Sequence, residues 1–351
     1  MKYLYNTGRI YWEKEEKGEK LTPDEIFEQN LHFISKVCAM GYLLYRHKEP
    51  ARAWAIYAME TDEDIESGKH EGGTGKSFFI KLATYIRKHV FIDGQKKSLS
   101  DDKHLFGRVL EDFTDLVVID DLGKHVPLNT LFVAITGDML VEPKFIETYN
   151  INFNKSPKIG FTSNHPLSNF DSSLRRRLWF AGFSNYYHPE NSMRNLPERT
   201  MLSEFGKQLI DEYTPEEMNK MYNFLAYCLQ TYLRFHKRIN PPMEGIERRN
   251  LQRSMNDDFF YWAEDYFTPD RLDVEVDKQE ALEAFRLSLP ESDRKYAKMH
   301  TFKAKLIFFA QYKNWIFNPP HLFNSESERK RNDIRRSVEG KDFYYFYFQT
   351  K

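Results

Sequence analysis

The spacing of apolar residues along the chain predicts buried strands that alternate with amphipathic helices. Residues 22–43 show the clearest helical pattern: Thr22 and Pro23 form a capping start, and apolar positions then recur every three or four residues. Short apolar runs of strand length cover residues 54–59, 90–92, 116–119, 157–162 and 178–180. Continuously apolar strands between helical segments are typical of a parallel sheet, so the predicted fold class is α/β.

The segments between these runs complete the prediction for the first two thirds of the chain. Further helices are predicted over residues 76–89, 101–113, 128–140 and, as a longer helical region, 199–238. Residues 141–153 are predicted to form a strand-turn-strand segment. The first 20 residues are rich in charge, and we interpret them as a solvated arm with at most one short strand.

The C-terminal part has a different pattern, in which three helices precede a small ribbon. The helices are predicted over residues 257–267, 277–289 and 300–313, before a basic segment (329–336) and an aromatic strand (343–348). This order predicts a winged-helix-like α+β module, a kind of module that reads duplex DNA. Its candidate phosphate-binding face consists of Lys303, Lys305, Lys313, Arg329, Lys330, Arg331, Arg335 and Arg336. The alternative is a module that makes protein contacts or stabilises an assembly.

Composition narrows the class of protein. The chain has 351 residues, of which 41% are hydrophobic and 29% charged, and its net charge is −1, as in an ordinary globular protein of two or three domains. Because the net charge is near zero, any nucleic-acid site must come from local basic clusters. Cys38 and Cys228 lie in apolar helical patterns, which suits a reducing compartment without disulfides or a zinc site. Without a signal peptide or membrane-spanning stretch in the sequence, we expect a cytoplasmic protein with no membrane partner.

Residues 71–77, with the sequence EGGTGKS, end in the Gly-Lys-Ser core of a phosphate-binding P-loop. In such a loop backbone N–H groups point at phosphate oxygens, the lysine reaches the β- and γ-phosphates, and the serine hydroxyl holds Mg²⁺. The full pattern requires a glycine at position 70, where this chain has His70. The predicted nucleotide contacts are Gly72, Gly73, Thr74, Gly75, Lys76, Ser77 and Phe78. The alternative is a flexible, glycine-rich surface turn.

The apolar strand over residues 116–119 ends in Asp120 and Asp121, which is the form of a Walker B element. A buried parallel strand delivers such acids at its carboxyl end, beside the P-loop. We expect Asp120 to hold Mg²⁺ together with Ser77, and Asp121 to polarise the attacking water. An aliphatic strand that ends in Asp is common, and its position about 40 residues after the P-loop is what favours this interpretation.

Asn164 ends the next apolar strand, in the sequence Thr162-Ser163-Asn164. An amide beside a Walker B strand can orient the hydrolytic water and sense the γ-phosphate, so Asn164 is a predicted catalytic residue. The alternative is a simple turn initiator before His165-Pro166.

Three consecutive arginines, Arg175 to Arg177, precede the last apolar strand. Arginine recognises phosphate in a planar, bidentate way, and one placed across a subunit border can neutralise charge in the transition state. We therefore predict an arginine finger among the three. A solvated cluster of charges is the alternative.

Together these motifs resemble those of superfamily 3 helicases, in particular the helicase part of phage and plasmid primase-helicases related to the poxvirus primase-helicase. The stretches that carry the resemblance are EGGTGKSFF (71–79), DLVVIDDL (115–122), ITGDMLVEPK (135–144), SPKIGFTSNHPL (156–167) and SSLRRRLWFAGFSNYYH (172–188). The resemblance is strong over residues 25–190 and looser beyond them. It implies a P-loop ATPase core of the AAA+ type that binds ATP and Mg²⁺.

The resemblance also implies a homo-oligomeric ring of six subunits with an ATP site at each border. The family pattern places the arginine finger, supplied by the neighbouring subunit, at Arg177, with Arg175 and Arg176 as the fallback. A β-hairpin over residues 140–153 would grip a single DNA strand, with Lys144 contacting phosphate and Phe145 stacking on a base. A surface hairpin with an incidental lysine is the alternative. We expect no primase half ahead of the helicase part, which leaves two alternatives: a separate primase or polymerase as a partner, or a replicon that uses another initiator.

These predictions combine into one domain scheme and one leading function. The scheme is an N-terminal arm and helical collar (1–50), the ATPase core (51–190), a helical extension (191–245) and the winged-helix-like module (246–351). The predicted function is an ATP-dependent, ring-forming DNA helicase or translocase that replicates a phage or mobile element in a bacterial cytoplasm, acting on single-stranded or forked DNA. The alternatives are a nucleotide-switched DNA-binding initiator or defence ATPase without unwinding activity, and an RNA helicase.

Overall fold

The protein, in a computed structural model, folds as two units whose boundary lies within one helix, at residue 246. The structure describes residues 1–61, 73–96, 99, 102–123, 126–165, 167, 172–190 and 196–350. The N-terminal unit covers residues 1–246 apart from residues 167–169, and the C-terminal unit covers the remainder. The four-part domain scheme stays a prediction.

The N-terminal unit contains eight α-helices and seven strands among the described residues. The helices are α1 (Lys2–Asn6), α2 (Trp12–Glu16), α3 (Pro23–Leu44), α4 (Lys76–Thr84), α5 (Phe132–Thr136), α6 (Ser172–Arg177), α7 (Met201–Phe205) and α8 (Pro215–Phe235). The strands are β1 (Ala55–Glu60), β2 (His89–Asp93), β3 (Leu116–Asp120), β4 (Met139–Val141), β5 (Tyr149–Ile151), β6 (Lys158–Thr162) and β7 (Leu178–Phe183). Helix α9 (Glu244–Met255) contains the boundary between the units.

Five strands of this unit form one parallel sheet in the order β2-β3-β6-β1-β7. Strands β1, β6 and β7 are buried along nearly their whole length, which agrees with the continuous apolar runs in their sequences. The prediction of an α/β fold with a parallel sheet flanked by helices is therefore confirmed, and it is compatible with a P-loop-like core. Strands β4 and β5 pair antiparallel as the predicted hairpin.

Helix α3 packs against β7, an edge strand of the parallel sheet. Thr22 forms a capping box with Glu25, Pro23 occupies the first helical position, and the helix packs against β7 and α8. Gly41 allows the close approach of α8, since a Cβ atom there would lie 2.1 Å from the carbonyl oxygen of Cys228. The predicted helix over residues 22–43 is confirmed.

The C-terminal unit is built from helices and a small antiparallel sheet. Its elements after α9 are α10 (Asp257–Tyr266), β8 (Glu275–Asp277), α11 (Lys278–Ser288), α12 (Met299–Lys313), β9 (Ile316–Phe317), α13 (Glu326–Arg331), β10 (Ile334–Val338) and β11 (Lys341–Gln349). Strand β11 pairs with β10, β8 and β9. An aromatic core that includes Phe259, Phe302 and Phe346 joins the helices to the sheet. The three helices and the ribbon are confirmed, and the winged-helix assignment stays a prediction.

The first 20 residues are not the solvated arm with a short strand that we predicted. They form α1 and α2, and Tyr3, Leu4 and Trp12 are buried in the core of the N-terminal unit. The Nε1 atom of Trp12 donates a hydrogen bond to Asn185 at 2.6 Å. Charged residues dominate the sequence of this segment, so the few large apolar side chains that anchor it form no recognisable pattern.

Of the other predicted helices, one is replaced by turns and two are shorter than predicted. Residues 102–113 form turns, because Asp102 accepts from the His104 backbone and Gly107 lies so close to the β4 region that a Cβ atom would be 2.9 Å from the Glu142 carbonyl oxygen. The helix predicted over residues 128–140 is a 3₁₀ turn followed by α5, which ends at the extended residue Gly137. The predicted helix over residues 76–89 ends at Thr84.

The described part of the chain contains no helix that is both long and apolar enough to span a bilayer.

Candidate functional site

The residues of the predicted nucleotide site, except the candidate arginine finger, lie where the parallel strands end. Strand β6 is the neighbour of both β1 and β3, so the carboxyl ends of these three strands lie side by side. Glu60, Asp120 and Thr162 are the last residues of the three strands. In open parallel sheets this edge is where ligands bind, and here it holds acids and hydroxyls in close contact.

The described part of the candidate P-loop has the geometry of a tight turn into a helix. Gly73 and Gly75 have φ angles of 101° and 97°, which L side chains rarely adopt, and Lys76 is the first residue of α4. Gly72, like His70 and Glu71, lies outside the described residues. The loop thus presents Lys76 and Ser77 on the first turn of α4, where backbone N–H groups point towards an incoming anion.

Lys76 is buried, and its ammonium group is held by neighbouring oxygens. It forms an ion pair with Glu60 at the end of β1, and its Nζ atom donates to the Thr74 hydroxyl at 2.9 Å. The Thr74 hydroxyl in turn donates to Glu60 at 3.4 Å. The predicted P-loop residues Thr74 and Lys76 therefore share the carboxylate of Glu60, a residue that has no role in the predictions from sequence.

Ser77 and Asp120 are brought together as predicted. The Ser77 hydroxyl donates to Asp120 Oδ1 at 2.7 Å, across 43 residues of sequence. The Thr162 hydroxyl donates to the same carboxylate oxygen at 2.6 Å. A carboxylate and a hydroxyl in contact are hard oxygen ligands of the kind that Mg²⁺ prefers, so this pair fits the metal.

Asp121 and Asn164 form the second predicted pair. Asn164 Nδ2 donates to Asp121 Oδ1 at 3.0 Å, and Gln95 Nε2 donates to Oδ2 of the same carboxylate at 3.0 Å. Asp121 has a φ angle of 53°, a costly conformation for a residue other than glycine, and its backbone N–H donates to the Thr162 hydroxyl at 2.8 Å. Thr162 thus contacts both acids, because its hydroxyl donates to Asp120 and accepts from the Asp121 backbone.

Four residues that contact these groups have no role in the predictions from sequence. Glu60 could have been found from its position at the end of β1, and Gln95 from its position just after β2. Thr162 was quoted within the Thr-Ser-Asn motif, but only Asn164 received a role. Tyr3 gave no local signal: its hydroxyl donates to the Gly75 carbonyl at 2.5 Å, and burial raises the pKa of its phenol well above the ordinary value.

Phe78, the last predicted nucleotide contact, faces the N-terminal segment. Its ring packs edge-on against the ring of Tyr3, with centroids 4.8 Å apart. A Cβ atom on Gly75 would lie 2.9 Å from the same tyrosine ring. Tyr3 of α1 therefore packs against both Gly75 and Phe78. Through this residue the first helix of the chain supports the P-loop.

Arg177 contacts a different part of the unit. Its guanidinium group lies 4.5 Å from the centre of the Phe132 ring, and its Nη1 atom donates to the Ser173 hydroxyl at 2.6 Å. Arg175 and Arg176 are exposed on the same helix, α6. Among the residues that the structure describes, these contacts of Arg177 do not connect it to the network around Asp120.

The predicted strand-binding residues lie at the tip of the β4–β5 hairpin. Lys144 is exposed, and Phe145 is fully exposed with a φ angle of 62°. Ile146 beside it is also exposed. An apolar pair on an exposed turn is unfavourable unless something covers it, so the tip has the features of a contact site.

The lysines predicted to bind phosphate in the C-terminal unit are engaged within that unit. Lys303 forms an ion pair with Asp333, Lys305 donates to the Asn256 side chain at 2.5 Å, and Lys313 forms an ion pair with Glu264. Carboxylates of the same unit therefore compensate the charges of Lys303 and Lys313, whereas the partner of Lys305 is a neutral amide.

In the described ranges no group of three or more His, Cys, Asp or Glu side chains is arranged to hold a metal ion by itself. A metal held by Ser77 and Asp120 would therefore need its remaining ligands from phosphate oxygens and water, which is how Mg²⁺ is usually bound beside nucleotides.

Comparisons with known proteins give a limited result. No protein-family model matches the sequence, and no curated protein matches it. Two solved structures of the C-terminal region of NrS-1, described as an A form without ligand, are similar to this chain over 99% of its length. They are 12% identical to it, with TM-scores of 0.39 and 0.34, and the similarity covers 76% and 75% of their own chains.

Proposed function

We propose that this chain hydrolyses ATP and uses the energy to move along single-stranded DNA, as a ring-forming helicase or translocase in the replication of a phage or mobile element. The observation that carries the proposal is the pairing of Ser77 with Asp120 and of Asn164 with Asp121 at one edge of a parallel sheet. These four residues come from three distant segments, and each contact joins the residue types that phosphoryl transfer requires.

Each side chain has a role in this proposal. Lys76 and the loop N–H groups bind the phosphates, and Ser77 and Asp120 hold Mg²⁺, which neutralises phosphate charge when it is bound. Asp121 accepts a hydrogen bond from the attacking water, and Asn164 and Gln95 hold the Asp121 carboxylate in position for that contact.

ATP must displace one existing contact to bind in this way. Lys76 is paired with Glu60, so the γ-phosphate would replace that carboxylate as the partner of the ammonium group. Glu60 would then exchange the ammonium group of Lys76 for the metal or a water molecule beside the phosphates. The exchange keeps Lys76 buried and charged in both states, and it is less costly than burying a free ammonium group.

The decisive experiment is an ATP hydrolysis assay with and without single-stranded DNA, on the wild type and on Lys76→Ala. We expect hydrolysis that DNA stimulates, and loss of hydrolysis in Lys76→Ala. Lys81→Ala is the matched control, since Lys81 is an exposed lysine on the same helix. Absence of hydrolysis in the wild type, or hydrolysis insensitive to every nucleic acid, would sink the proposal.

The ring is tested through Arg177. In the proposal Arg177 acts on the ATP bound by a neighbouring subunit, so Arg177→Ala abolishes hydrolysis while ATP binding persists. Mixed Arg177→Ala and Lys76→Ala subunits should regain some activity, because some borders then carry both intact residues. No recovery at any mixing ratio would remove the support for action across a border.

A second candidate is a nucleotide-switched DNA-binding protein without unwinding activity. The Lys76–Glu60 ion pair favours it, because ATP binding would have to rearrange this contact and could thereby signal to β1. Displacement of a strand from a forked duplex separates the two functions, and RNA substrates in the same assay test an RNA helicase.

A further inference from the structure

An aromatic pocket lies beside the candidate P-loop, between helices of the N-terminal unit. It has a volume of about 270 Å³ and is lined by side chains of α1, α4, α7, α8 and the segment between α7 and α8. Among the described residues, its aromatic side chains are Tyr3, Phe78, Phe205, Tyr213 and Phe224. This volume is just below the range of about 300–1,000 Å³ for pockets that hold a whole small molecule, so the pocket suits the planar part of a larger ligand.

Helix α4 places this pocket next to the predicted phosphate-binding residues. Phe78 follows Ser77 directly, and consecutive residues of a helix are rotated by about 100° from each other. Ser77 faces Asp120 at the sheet edge, whereas Phe78 and Leu82, four residues apart, share a face of α4 and line the pocket. A nucleotide whose phosphates are bound by the loop would therefore have its ribose beside Phe78 and its base at the pocket.

Tyr3 forms a second connection between the pocket and the loop. Its ring lines the pocket and packs edge-on against Phe78, and its hydroxyl is occupied by the Gly75 carbonyl. Leu4 and Met221, which also line the pocket, are buried in the core of the unit. The inner wall is therefore held by the core, and a ligand can bury apolar surface there without rearranging the loop.

The aromatic lining fits a flat, aromatic ligand. Phe78, Phe205 and Phe224 are only partly buried, so part of each ring is accessible. Aromatic side chains stack on any nucleic-acid base, because every base has a π-face. A purine has two fused rings and buries more apolar area in such a pocket than a pyrimidine does, so the lining favours purines.

The polar side chains of the pocket do not favour one purine over another. Lys207 forms an ion pair with Glu217, and Lys220 forms one with Glu216, so the charged groups are engaged with each other. The Tyr213 hydroxyl can donate or accept, so it suits the 6-amino group of adenine and the 6-oxo group of guanine equally. Strong discrimination requires side chains that are built to hydrogen-bond the substrate, so this lining distinguishes adenine from guanine only weakly.

We propose that this pocket binds the base of the nucleotide held by the P-loop, and that it selects purines over pyrimidines while accepting adenine and guanine alike. The inference rests on the proposed function for the phosphates at Lys76 and Ser77. It extends that function in two ways: α1, α7 and α8 become part of the substrate site, and GTP becomes a substrate beside ATP. The specificity comes from the size of the base and from its stacking on rings such as Phe78 and Phe224.

The test compares steady-state hydrolysis of ATP, GTP, CTP and UTP by the wild type and by Phe224→Ala. In the wild type the KM values of ATP and GTP should agree within about threefold, and those of CTP and UTP should be about tenfold higher. In Phe224→Ala the KM of both purine nucleotides should rise about tenfold with kcat unchanged, because a base contact stabilises substrate and transition state equally. Tyr227→Ala is the matched control and should behave as the wild type, since Tyr227 is an exposed aromatic residue of the same helix, outside the pocket.

Inorganic tripolyphosphate distinguishes a contact with the base from a distortion of the loop. It has the phosphate chain of a nucleotide without the base, so it should inhibit hydrolysis competitively through the P-loop alone. Its inhibition constant should be equal in the wild type and Phe224→Ala, whereas the inhibition constant of ADP should rise about tenfold in the variant. Equal rises for tripolyphosphate and ADP would overturn the inference, because Phe224 would then act on the loop.

Leu209→Trp keeps the test independent of whether Phe224→Ala folds. Leu209 is a partly buried residue of the pocket lining, between α7 and α8, and an indole there would occupy the space of the base. The KM of ATP and GTP should rise about tenfold or more, while inhibition by tripolyphosphate should not change. A KM for ATP equal to that of the wild type would overturn the inference.

Direct binding of ADP, GDP and CDP, each with a fluorescent label on the ribose, separates this inference from the proposed function. A wild type that binds ADP and GDP alike and CDP more weakly, but hydrolyses no triphosphate, would overturn the proposed function alone. Hydrolysis stimulated by DNA, with equal KM values for purine and pyrimidine nucleotides or with ATP favoured over GTP more than about 100-fold, would overturn this inference alone. A wild type that binds no nucleotide would overturn both.

Discussion

The carboxyl edge of the parallel sheet and helix α12 of the C-terminal unit both carry residues that were predicted to bind a ligand. The two regions differ in what those residues contact. At the sheet edge, Ser77 and Asp120 contact each other, as do Asp121 and Asn164. On α12, by contrast, Lys303 and Lys313 are paired with acids of their own unit. The first set converges on one place, and the second is spread along a helix and used in packing.

The difference follows from how each set was predicted. Polar residues at the ends of parallel strands must meet, because the sheet fixes where strands end. Lysines on a helix face can turn towards any nearby carboxylate, and charged side chains usually find one. A cluster of basic residues in sequence is therefore weaker evidence for a binding site than polar residues at adjacent strand ends.

The largest expected effect comes from the sheet edge. Asp121→Asn should lower ATP turnover about 10²- to 10³-fold, because the amide cannot accept a proton from the attacking water. ATP binding should persist, since Lys76 and Ser77 are unchanged. Steady-state hydrolysis and fluorescent-nucleotide binding give the two values.

Asp93→Asn is the matched control for this change. Asp93 is an exposed acid at the end of the neighbouring strand β2, and it accepts from the Gln95 backbone. Turnover in Asp93→Asn should stay within about twofold of the wild type, as for most surface changes. A loss of ATP binding in Asp121→Asn that equals its loss of turnover would contradict the role of Asp121.

Thr162→Val tests a residue that the sequence analysis overlooked. The hydroxyl donates to Asp120 and accepts from the Asp121 N–H, so valine leaves a partly buried N–H without its partner, at a cost of about 2 kcal/mol. Turnover should fall about thirtyfold as both carboxylates lose their positions. Thr61→Val, which removes a buried hydroxyl bound to the Phe183 carbonyl, should lower stability without this loss of turnover.

Much of the N-terminal unit could be predicted from local patterns. The strands β1, β3, β6 and β7 are continuous apolar runs, and α3 has its capping residues in sequence. The contact of Tyr3 with Gly75 could not be predicted, because it joins residues 72 apart by a single hydroxyl and a few ring atoms. The turns at residues 102–113 depend on the close approach of Gly107 to Glu142, which no local pattern encodes.

The C-terminal unit shows the same limit. Its helices and terminal strand follow from periodicity, but the partners of its lysines do not. Asp333 and Glu264 are distant in sequence from Lys303 and Lys313. The predicted phosphate-binding face was assembled from basic residues alone, without the acids that pair with them. A long, flexible side chain can reach several partners, so the partner that it contacts depends on the folded structure and cannot be predicted from sequence.

Asp333→Asn tests whether the lysines of the C-terminal unit are used for stability. Burial alone would raise the pKa of Asp333, but hydrogen bonds from Lys303 and Lys278 lower it below its ordinary value of 3.8. The carboxylate therefore stabilises the fold above pH 3.8, and this contribution is lost as the pH falls through the lowered pKa. We expect Asn to cost about 1.5 kcal/mol at neutral pH and much less in acid.

Hydrogen exchange of α12 amides at pH 7 and in acid measures this local stability. Asp342→Asn is the control, because its ion pair with Arg335 is more exposed and should contribute less. An Asp333→Asn cost that is the same at both pH values would contradict the ion-pair account.

The smallest expected effect tests whether the lysines of α12 stabilise the fold and do not bind DNA. Lys303→Gln should destabilise α12 by about 1 kcal/mol, because it removes one charged hydrogen bond to Asp333 and one to the Arg331 carbonyl. Binding of duplex or single-stranded DNA should not change, since an ammonium group held by Asp333 is not available to phosphate. Anisotropy titrations and hydrogen exchange are made on the same samples, with the exposed Lys330→Gln as the control. A fall in DNA affinity with unchanged exchange would reverse the conclusion: Lys303 would then exchange Asp333 for phosphate, and the basic face of α12 would be a binding site after all.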